Sequence, residues 1–268
     1  MFLKKRAGSL HGPPKVIGVV ALSERADLQQ FLESCLKDAS WSSASEPSLS
    51  PIHIEYAKHK SNISLLFSDR SIPSIVDVAR ISDTLIFVAA IDAADPDSII
   101  DELGYNIIST LLSLGLSETI CFTQGLQHLS GKALIDMRKL AHRYFESSVG
   151  TNVRFAEDSD STMLCRHMSA VSPKNLNWRS TRSYMRCESV ELTDDVHQLN
   201  EEGQCSLRLA GYLRGQPLSV QSLIHITDVG TFPISKISSA LGPFETKPSA
   251  QHKAAGFSPH CVLSVPSE

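Results

Sequence analysis

Runs of apolar residues alternate with amphipathic segments through the first 145 positions of the chain. Continuous apolar runs are typical of buried parallel strands, and apolar positions three or four residues apart are typical of helices packed on a sheet. Strands are predicted at 15–22, 63–67, 84–91 and 118–122, and helices at 27–36, 72–81, 97–114 and 130–145. This alternation predicts a doubly wound α/β domain with a parallel sheet covered on both faces. The serine-rich stretch 40–50 predicts a mobile loop.

The pattern changes beyond about residue 160, where helical periodicity disappears and short alternating segments take over. Residues 184–192, 205–210, 218–226 and 232–237 are predicted to be strands separated by turn residues. Such segments predict a small β-barrel, although an open sandwich would give the same pattern. The domain organisation predicted is a flexible leader (1–14), an α/β domain (15–160), a β-barrel domain (161–245) and a disordered tail (246–268).

Composition narrows the class of protein. A chain of 268 residues with 42% hydrophobic content and a net charge of -4 has room for two soluble domains. The six cysteines lack zinc-site spacing, so we interpret them as reduced core thiols and expect no metal. No apolar run long enough for a signal peptide or a membrane span follows the first residues, which predicts an intracellular protein without a membrane partner. The short basic run at 4–6 is compatible with nuclear import.

A doubly wound domain followed by a barrel is the arrangement of translational GTPases, whose phosphate-binding loop follows the first strand. Here that loop reads ALSERADL (21–28), without glycine or a Lys-Ser/Thr pair, and Glu24 and Asp27 would repel phosphate. Near Asp69 the glycine of Asp-x-x-Gly is absent, and TQGL (123–126) replaces the guanine-reading Asn-Lys-x-Asp. These losses predict a pseudo-GTPase without a catalytic residue or cofactor; another doubly wound fold is the alternative.

Two arginines and two aromatic residues come together where the second domain begins. Arginine binds phosphate bidentately and aromatic rings stack on bases, so RNA contact is one use of such a segment. Packing of the aromatics in a domain seam, with solvated arginines, is the other. Our candidate residues for binding RNA or a pre-ribosomal particle are Trp178, Arg179, Arg182, Tyr184 and, in the turn after residue 213, Arg214.

Three sequence blocks carry a family resemblance: NWRSTRSY (177–184), GYLRGQPL (211–218) and LIHI (223–226). In this order they resemble a eukaryotic family of GTPase-like pre-rRNA-processing proteins, closest to its twenty-S rRNA accumulation branch. GPPK (12–15) and DVAR (77–80) are also similar, so the resemblance covers roughly residues 12–245. Because members of this family continue through further barrel domains, the chain resembles a truncated form.

The resemblance implies a non-catalytic factor of small-subunit maturation in the nucleus and nucleolus. Its partners would be the pre-40S ribosomal particle, the ribosomal RNA precursor and ribosomal proteins, and the chain is expected to be a monomer outside the particle. Two alternatives stay open: a residual GTP-binding or GTPase assembly factor, and a nonfunctional truncated product.

Overall fold

A computed structural model describes residues 7–9, 12–47, 51–92, 95–116, 118–150, 153–172, 176–192, 206–240, 244 and 262–264. The chain forms two compact units, which we call the α/β unit (1–176) and the β unit (177–268). Among these residues no helix has the length and apolarity needed to cross a membrane.

In the described part of the α/β unit, seven strands form one mixed sheet in the order β2-β3-β4-β1-β5-β6-β7. β4, β1, β5, β6 and β7 are parallel, whereas β3 pairs antiparallel with β4, and β2 pairs antiparallel with β3. The strands are β1 (Lys15–Ala21), β2 (Trp41–Ser42), β3 (Ile52–Tyr56), β4 (Ser61–Phe67), β5 (Thr84–Ala90), β6 (Glu118–Gln124) and β7 (Arg154–Glu157).

Among the residues that the structure describes, five helices cover this sheet: α1 (Leu28–Leu36), α2 (Ile72–Ile81), α3 (Glu102–Leu114), α4 (Gly131–Ser148) and α5 (Ser161–Ala170). Short 3-10 turns occupy Ala57–His59, Pro96–Ile99 and Leu126–His128. Side chains alternate between the two faces of a strand, so each face carries its own buried cluster. Residues of α1 and α5 belong to one cluster, and residues of α2, α3 and α4 belong to the other. The predicted α/β fold is therefore confirmed.

The predicted serine-rich loop at 40–50 is wrong in part, because Trp41–Ser42 forms β2 and continues into the pairing with β3. Strand β3 was not predicted, since His53 and Glu55 interrupt its apolar run. His53 is nevertheless buried, and its Nδ1 lies 2.8 Å from the Ser64 hydroxyl. Because this histidine is polar but buried through its hydrogen bond, a pattern of apolar residues does not reveal the strand.

The predicted loss of helical periodicity near residue 160 is wrong, because α5 packs against β7 and β6 of the same sheet. Lys15, at the start of β1, is 2% exposed and its Nζ donates to the carbonyls of Met168, Ser169 and Val171 at 2.6–2.8 Å. A cation at the last carbonyls of a helix is favoured by the helix dipole. The α/β unit consequently extends to residue 176 rather than 160.

Part of the leader predicted as flexible is also held by the sheet. Ser9 bridges to Ser61, and the Asn62 amide donates to the Gly8 carbonyl at 3.2 Å. Pro14 is buried. Pairing of this short segment with β4 is the physical reason for the difference; the rest of the leader lies outside the described residues.

Where the structure describes it, the β unit begins with one helical turn, α6 (Asn177–Ser180), and continues with six strands in three antiparallel pairs, β8–β9, β10–β11 and β12–β13. These strands are β8 (Ser183–Leu192), β9 (Leu207–Gly215), β10 (Leu223–Ile226), β11 (Gly230–Pro233), β12 (Ile237–Ser238) and β13 (Val262–Ser264). The small β domain is confirmed, while closure into a barrel stays a prediction. Strand β13 lies within the tail predicted as disordered and corrects that prediction there; most of the tail lies outside the described residues.

Candidate functional site

The carboxyl ends of the parallel strands are the edge at which doubly wound folds bind nucleotides, because loops and helix N-termini converge there. We call this edge of the α/β unit the carboxyl edge. It is formed by the loops after β1, β4, β5, β6 and β7. The contacts of these loops determine whether hydrogen-bond donors are free to bind the phosphates and the base of a nucleotide.

The N-terminus of α1 is occupied by the protein's own carboxylate. Asp27 is the N-cap residue, and its Oδ1 accepts hydrogen bonds from the amides of Gln29 at 2.8 Å and Gln30 at 3.1 Å. Free amides at a helix N-terminus are the groups that bind phosphate. Here a charged side chain already satisfies them and places its negative charge where a phosphate would have to lie.

The side chain of Gln124, at the end of β6, forms hydrogen bonds with the loop before α1. Gln124 is buried, accepts from the Asp27 amide at 2.9 Å and donates to the Asp27 carbonyl at 2.7 Å. This residue ends the strand after which a GTPase would carry its guanine-reading motif. Its amide is therefore engaged with the backbone of the β1–α1 loop.

Asp101, the N-cap residue of α3, connects three further segments of the edge. Arg70, just after β4, donates to both of its oxygens at 2.7 Å. The amides of Gly104 and Glu24 donate to the same carboxylate at 2.8 and 3.1 Å. Burial opposes ionisation of Asp101, but these hydrogen bonds outweigh it and lower its pKa. Asp69, by contrast, is exposed, and hydrogen bonds from Ser74 and Ser71 lower its pKa.

The loops after β5, β6 and β7 are joined to their neighbours in the same way. Arg25 binds Asp92 at 2.8 Å. The Gly125 amide donates to Asp158 at 2.9 Å, and burial of this aspartate raises its pKa. Arg138 of α4 forms an ion pair with Glu157 at the end of β7. Within the described ranges, no cluster of three or more metal-binding side chains is present.

The predicted RNA-binding residues lie in the β unit, where the structure brings them to one end of the β8–β9 hairpin. The guanidinium carbons of Arg179 and Arg182 lie 5.2 and 5.5 Å from the centroid of the Trp178 ring, within cation–π range. Tyr184 and Arg214 are directly opposite each other in the antiparallel register. Directly opposite side chains share a face, so these two are neighbours.

Backbone contacts fix the end of this hairpin. The Gln216 amide donates to the Arg182 carbonyl at 3.2 Å, and its side chain donates to the Ser180 carbonyl at 2.7 Å. Gly215 has a φ of 76° and packs directly on the Arg182 carbonyl, which leaves no room for a β-carbon. The turn therefore holds α6 and both strands of the hairpin together.

Exposure separates the predicted residues. Arg182 is exposed, and Trp178, Tyr184 and Arg214 are half-buried. Arg179 is only 7% exposed, which argues against its predicted role as a phosphate contact and for a packing role beneath Trp178.

Two further residues extend this end of the hairpin and were missed. Arg186 and Tyr212 are directly opposite each other, two positions along from Tyr184 and Arg214. The same face thus carries two tyrosines and two arginines in alternation. The sequence held a signal for these two residues. Positions 184 and 186, like positions 212 and 214, are two residues apart and so lie on the same face of a strand. Burial lowers the pKa of Arg186.

These features define a class: a translation-factor-like protein with a G-domain-like α/β unit, whose carboxyl edge is joined by internal hydrogen bonds, followed by a small β domain. The fold is similar to the crystal structure of a bacterial selenocysteine-specific elongation factor, EF-Sec. That similarity has a TM-score of 0.53 at 11% identity and covers 83% of this chain and 38% of that one.

Family models identify the chain more closely. Residues 15–170 match the Tsr1, G-like domain, and residues 172–243 match the AARP2CN (NUC121) domain. The chain belongs to the Tsr1 family.

Curated relatives agree with this assignment. The chain is 27% identical over 252 residues to the pre-rRNA-processing protein TSR1 homolog of Xenopus laevis, covering 91% of this chain and 30% of that protein. It is 27% identical over 241 residues to the ribosome biogenesis protein tsr1 of Schizosaccharomyces pombe, covering 87% and 29%. The chain thus spans about 30% of the length of these relatives.

Proposed function

We propose that this chain is a non-catalytic ribosome-biogenesis factor that binds the pre-40S particle and acts in pre-rRNA processing in the nucleus and nucleolus. Membership of the Tsr1 family supports the process, because its curated relatives are a pre-rRNA-processing protein and a ribosome biogenesis protein. The observation that carries the non-catalytic part is the Asp27 carboxylate bound to the first amides of α1.

The electrostatics of the carboxyl edge support binding without nucleotide. A triphosphate would have to displace Asp27 from the α1 amides and approach Glu24 without a loop lysine to compensate. Losing the ion pair between a loop lysine and a phosphate costs about 2 to 5 kcal/mol, which corresponds to a loss of affinity of roughly thirty-fold to several thousand-fold. Calorimetry with GTP and magnesium tests this proposal: no heat of binding is expected, and micromolar affinity with turnover would favour a residual GTPase instead.

We place the RNA contact on the exposed end of the β8–β9 hairpin, with Arg182 and Arg214 as phosphate contacts and Trp178 and Tyr184 as stacking residues. Arg182 supports this role best, because it is exposed and its position is fixed by the Gln216 bond to its carbonyl. Arg179 contributes by holding Trp178 in place. A guanidinium beside an aromatic ring suits the phosphates and bases of single-stranded RNA.

The double variant Arg182→Glu/Arg214→Glu tests this interface in filter binding to a pre-ribosomal RNA fragment at several salt concentrations. We expect weaker binding and a slope of log affinity against log salt that is smaller by about 0.7 for each lost phosphate contact. The matched control is Arg208→Glu, which reverses one charge at the far end of the same hairpin, where Arg208 is 3.7 Å from Glu191. Equal affinity and slope in the double variant and the native chain would remove these arginines from the interface.

Cofractionation with pre-40S particles on a sucrose gradient tests the particle itself. The native chain and the Arg208→Glu control are expected in the particle fractions, and Arg182→Glu/Arg214→Glu is expected near the top of the gradient. Aggregation of the purified native chain, or the absence of cooperative unfolding, would instead support a nonfunctional product.

A further inference from the structure

An open cleft of about 520 Å³ lies at the carboxyl edge between the β1–α1 loop and the start of α3. Its lining includes Ser23, Glu24 and Arg25 on one side and Asp101 and Glu102 on the other. Three carboxylates therefore face one guanidinium. The internal bonds that close the edge over α1 leave this side, next to α3, accessible.

Two of the three carboxylates in the lining have no cationic partner among the described residues. Asp101 is bound by Arg70, and Arg25 is bound by Asp92. Glu24 and Glu102 are exposed and form no ion pair with any residue in the described ranges. A cation entering the cleft would thus meet two uncompensated negative charges, whereas a nucleic acid backbone would be repelled.

A second observation comes from the serine of the lining. Ser23 is 3% exposed, and its Oγ is a buried polar atom without a hydrogen-bond partner among the described residues. A buried hydroxyl normally has a partner in the protein, in ordered water or in a ligand, because an unsatisfied polar group destabilises the fold. A bound N–H donor would satisfy the oxygen of this hydroxyl.

We propose that this cleft binds the side chain of an arginine or lysine from a basic segment of a partner protein, between Glu24 and Glu102 and with Ser23 accepting a hydrogen bond. The charge of the lining selects a cation, and the unpartnered serine oxygen selects a cation that donates hydrogen bonds. This site is separate from the proposed RNA contact, which lies in the β unit, and the inference does not depend on it.

Fluorescence anisotropy of the full chain with a labelled oligoarginine peptide tests the proposal, with an oligoglutamate peptide as the negative probe. We expect oligoarginine to bind at low salt and the double variant Glu24→Gln/Glu102→Gln to bind it about tenfold more weakly, as expected for two partly screened charge pairs. The control Glu33→Gln/Glu146→Gln changes the net charge equally on the exposed faces of α1 and α4. An equal loss of affinity in this control would overturn the proposal by showing diffuse attraction only.

Ser23→Ala separates binding from folding. Because it removes a buried hydroxyl without a partner, the variant is expected to unfold at an unchanged or higher urea concentration while binding the peptide about threefold more weakly. Unchanged peptide affinity would exclude the serine from the site.

RNA binding by the same variants keeps this proposal distinct from the proposed function. Glu24→Gln/Glu102→Gln should bind pre-ribosomal RNA as the native chain does, and Arg182→Glu/Arg214→Glu should still bind oligoarginine. Unchanged peptide binding by Glu24→Gln/Glu102→Gln would place the peptide elsewhere on the protein and overturn the cleft.

Discussion

The two units differ in what their side chains are used for. Among the described residues of the α/β unit, 2 clusters of buried apolar side chains lie on the faces of the sheet. Among the residues of the β unit whose exposure the structure describes, Arg179 is the one that is buried, and Val190, Leu192, Leu207 and Leu223 are 45–67% exposed. The α/β unit is therefore stabilised by its core, while the described part of the β unit exposes much of its side-chain surface to solvent.

The largest expected difference between the units is in the free energy of unfolding lost when a leucine is truncated, because the leucine compared is buried in the α/β unit and exposed in the β unit. Leu65→Ala removes a fully buried side chain of β4 and should lower the free energy of unfolding by about 3 kcal/mol. Leu207→Ala, at a position 45% exposed in β9, should change it by less than about 0.5 kcal/mol. Urea unfolding in a Trp178→Phe background leaves Trp41 as the reporter of the α/β unit, and Trp41→Phe leaves Trp178 as the reporter of the β unit. Equal losses at the two positions would refute the contrast.

Lys15→Met should destabilise the α/β unit almost as strongly, by about 2 to 3 kcal/mol. It leaves three carbonyls at the end of α5 without the charged donor that binds them, and hydrogen bonds to charged groups contribute about 1.5 to 3 kcal/mol. The control is Lys132→Met, an exposed lysine at the start of α4. Trp41 fluorescence in urea measures both variants, and similar midpoints would show that Lys15 does not secure α5.

Gln124→Leu tests the hydrogen bonds that hold the carboxyl edge. Loss of both bonds to the Asp27 backbone should cost about 2 kcal/mol and speed hydrogen exchange at the start of α1. Gln216→Leu is the counterpart in the β unit, where the side chain is exposed, and it should cost less than about 1 kcal/mol. Exchange measured by mass spectrometry locates both effects; unchanged protection of the α1 peptide would contradict the first.

The smallest expected effect comes from Asp101 and depends on pH. Because its folded pKa lies below the ordinary value of about 3.9, its contribution is fully present above roughly pH 4. It is lost as the pH falls through the folded pKa. Asp101→Asn keeps the N-cap but weakens the Arg70 pair, so it should cost about 1 kcal/mol at neutral pH. The difference from the native chain should shrink in acid; a difference independent of pH would rule out this ionisation.

Periodicity predicted the elements whose apolar residues repeat without interruption. The helix at 72–81 and the strand beginning at Thr84 lie where the pattern places them, since their buried side chains are mostly apolar. Strand β3 was missed because buried His53 reads as polar. Helix α5 was missed because Ser161, Thr162 and His167 dilute its apolar face, although Leu164, Cys165 and Met168 are buried.

The candidate site was predictable as composition but not as geometry. The sequence shows that the loop after β1 has no glycine and carries Asp27, yet only the fold shows that this carboxylate binds the α1 amides. Arg179 was grouped with Arg182 because they share a short segment. Arg179 lies in the helical turn α6 and Arg182 lies beyond its end, and local spacing alone does not distinguish the buried arginine from the exposed one.

Lys15 also bears on the order in which contacts within this protein can form during synthesis. It belongs to β1, the central strand of the seven, yet its carbonyl partners lie 153 to 156 residues later in the chain. Until the ribosome has released those residues from its exit tunnel, the nascent chain carries a lysine at its central strand that still needs water or other acceptors. The contacts between Lys15 and the end of α5 therefore form only after the last of these residues has left the ribosome.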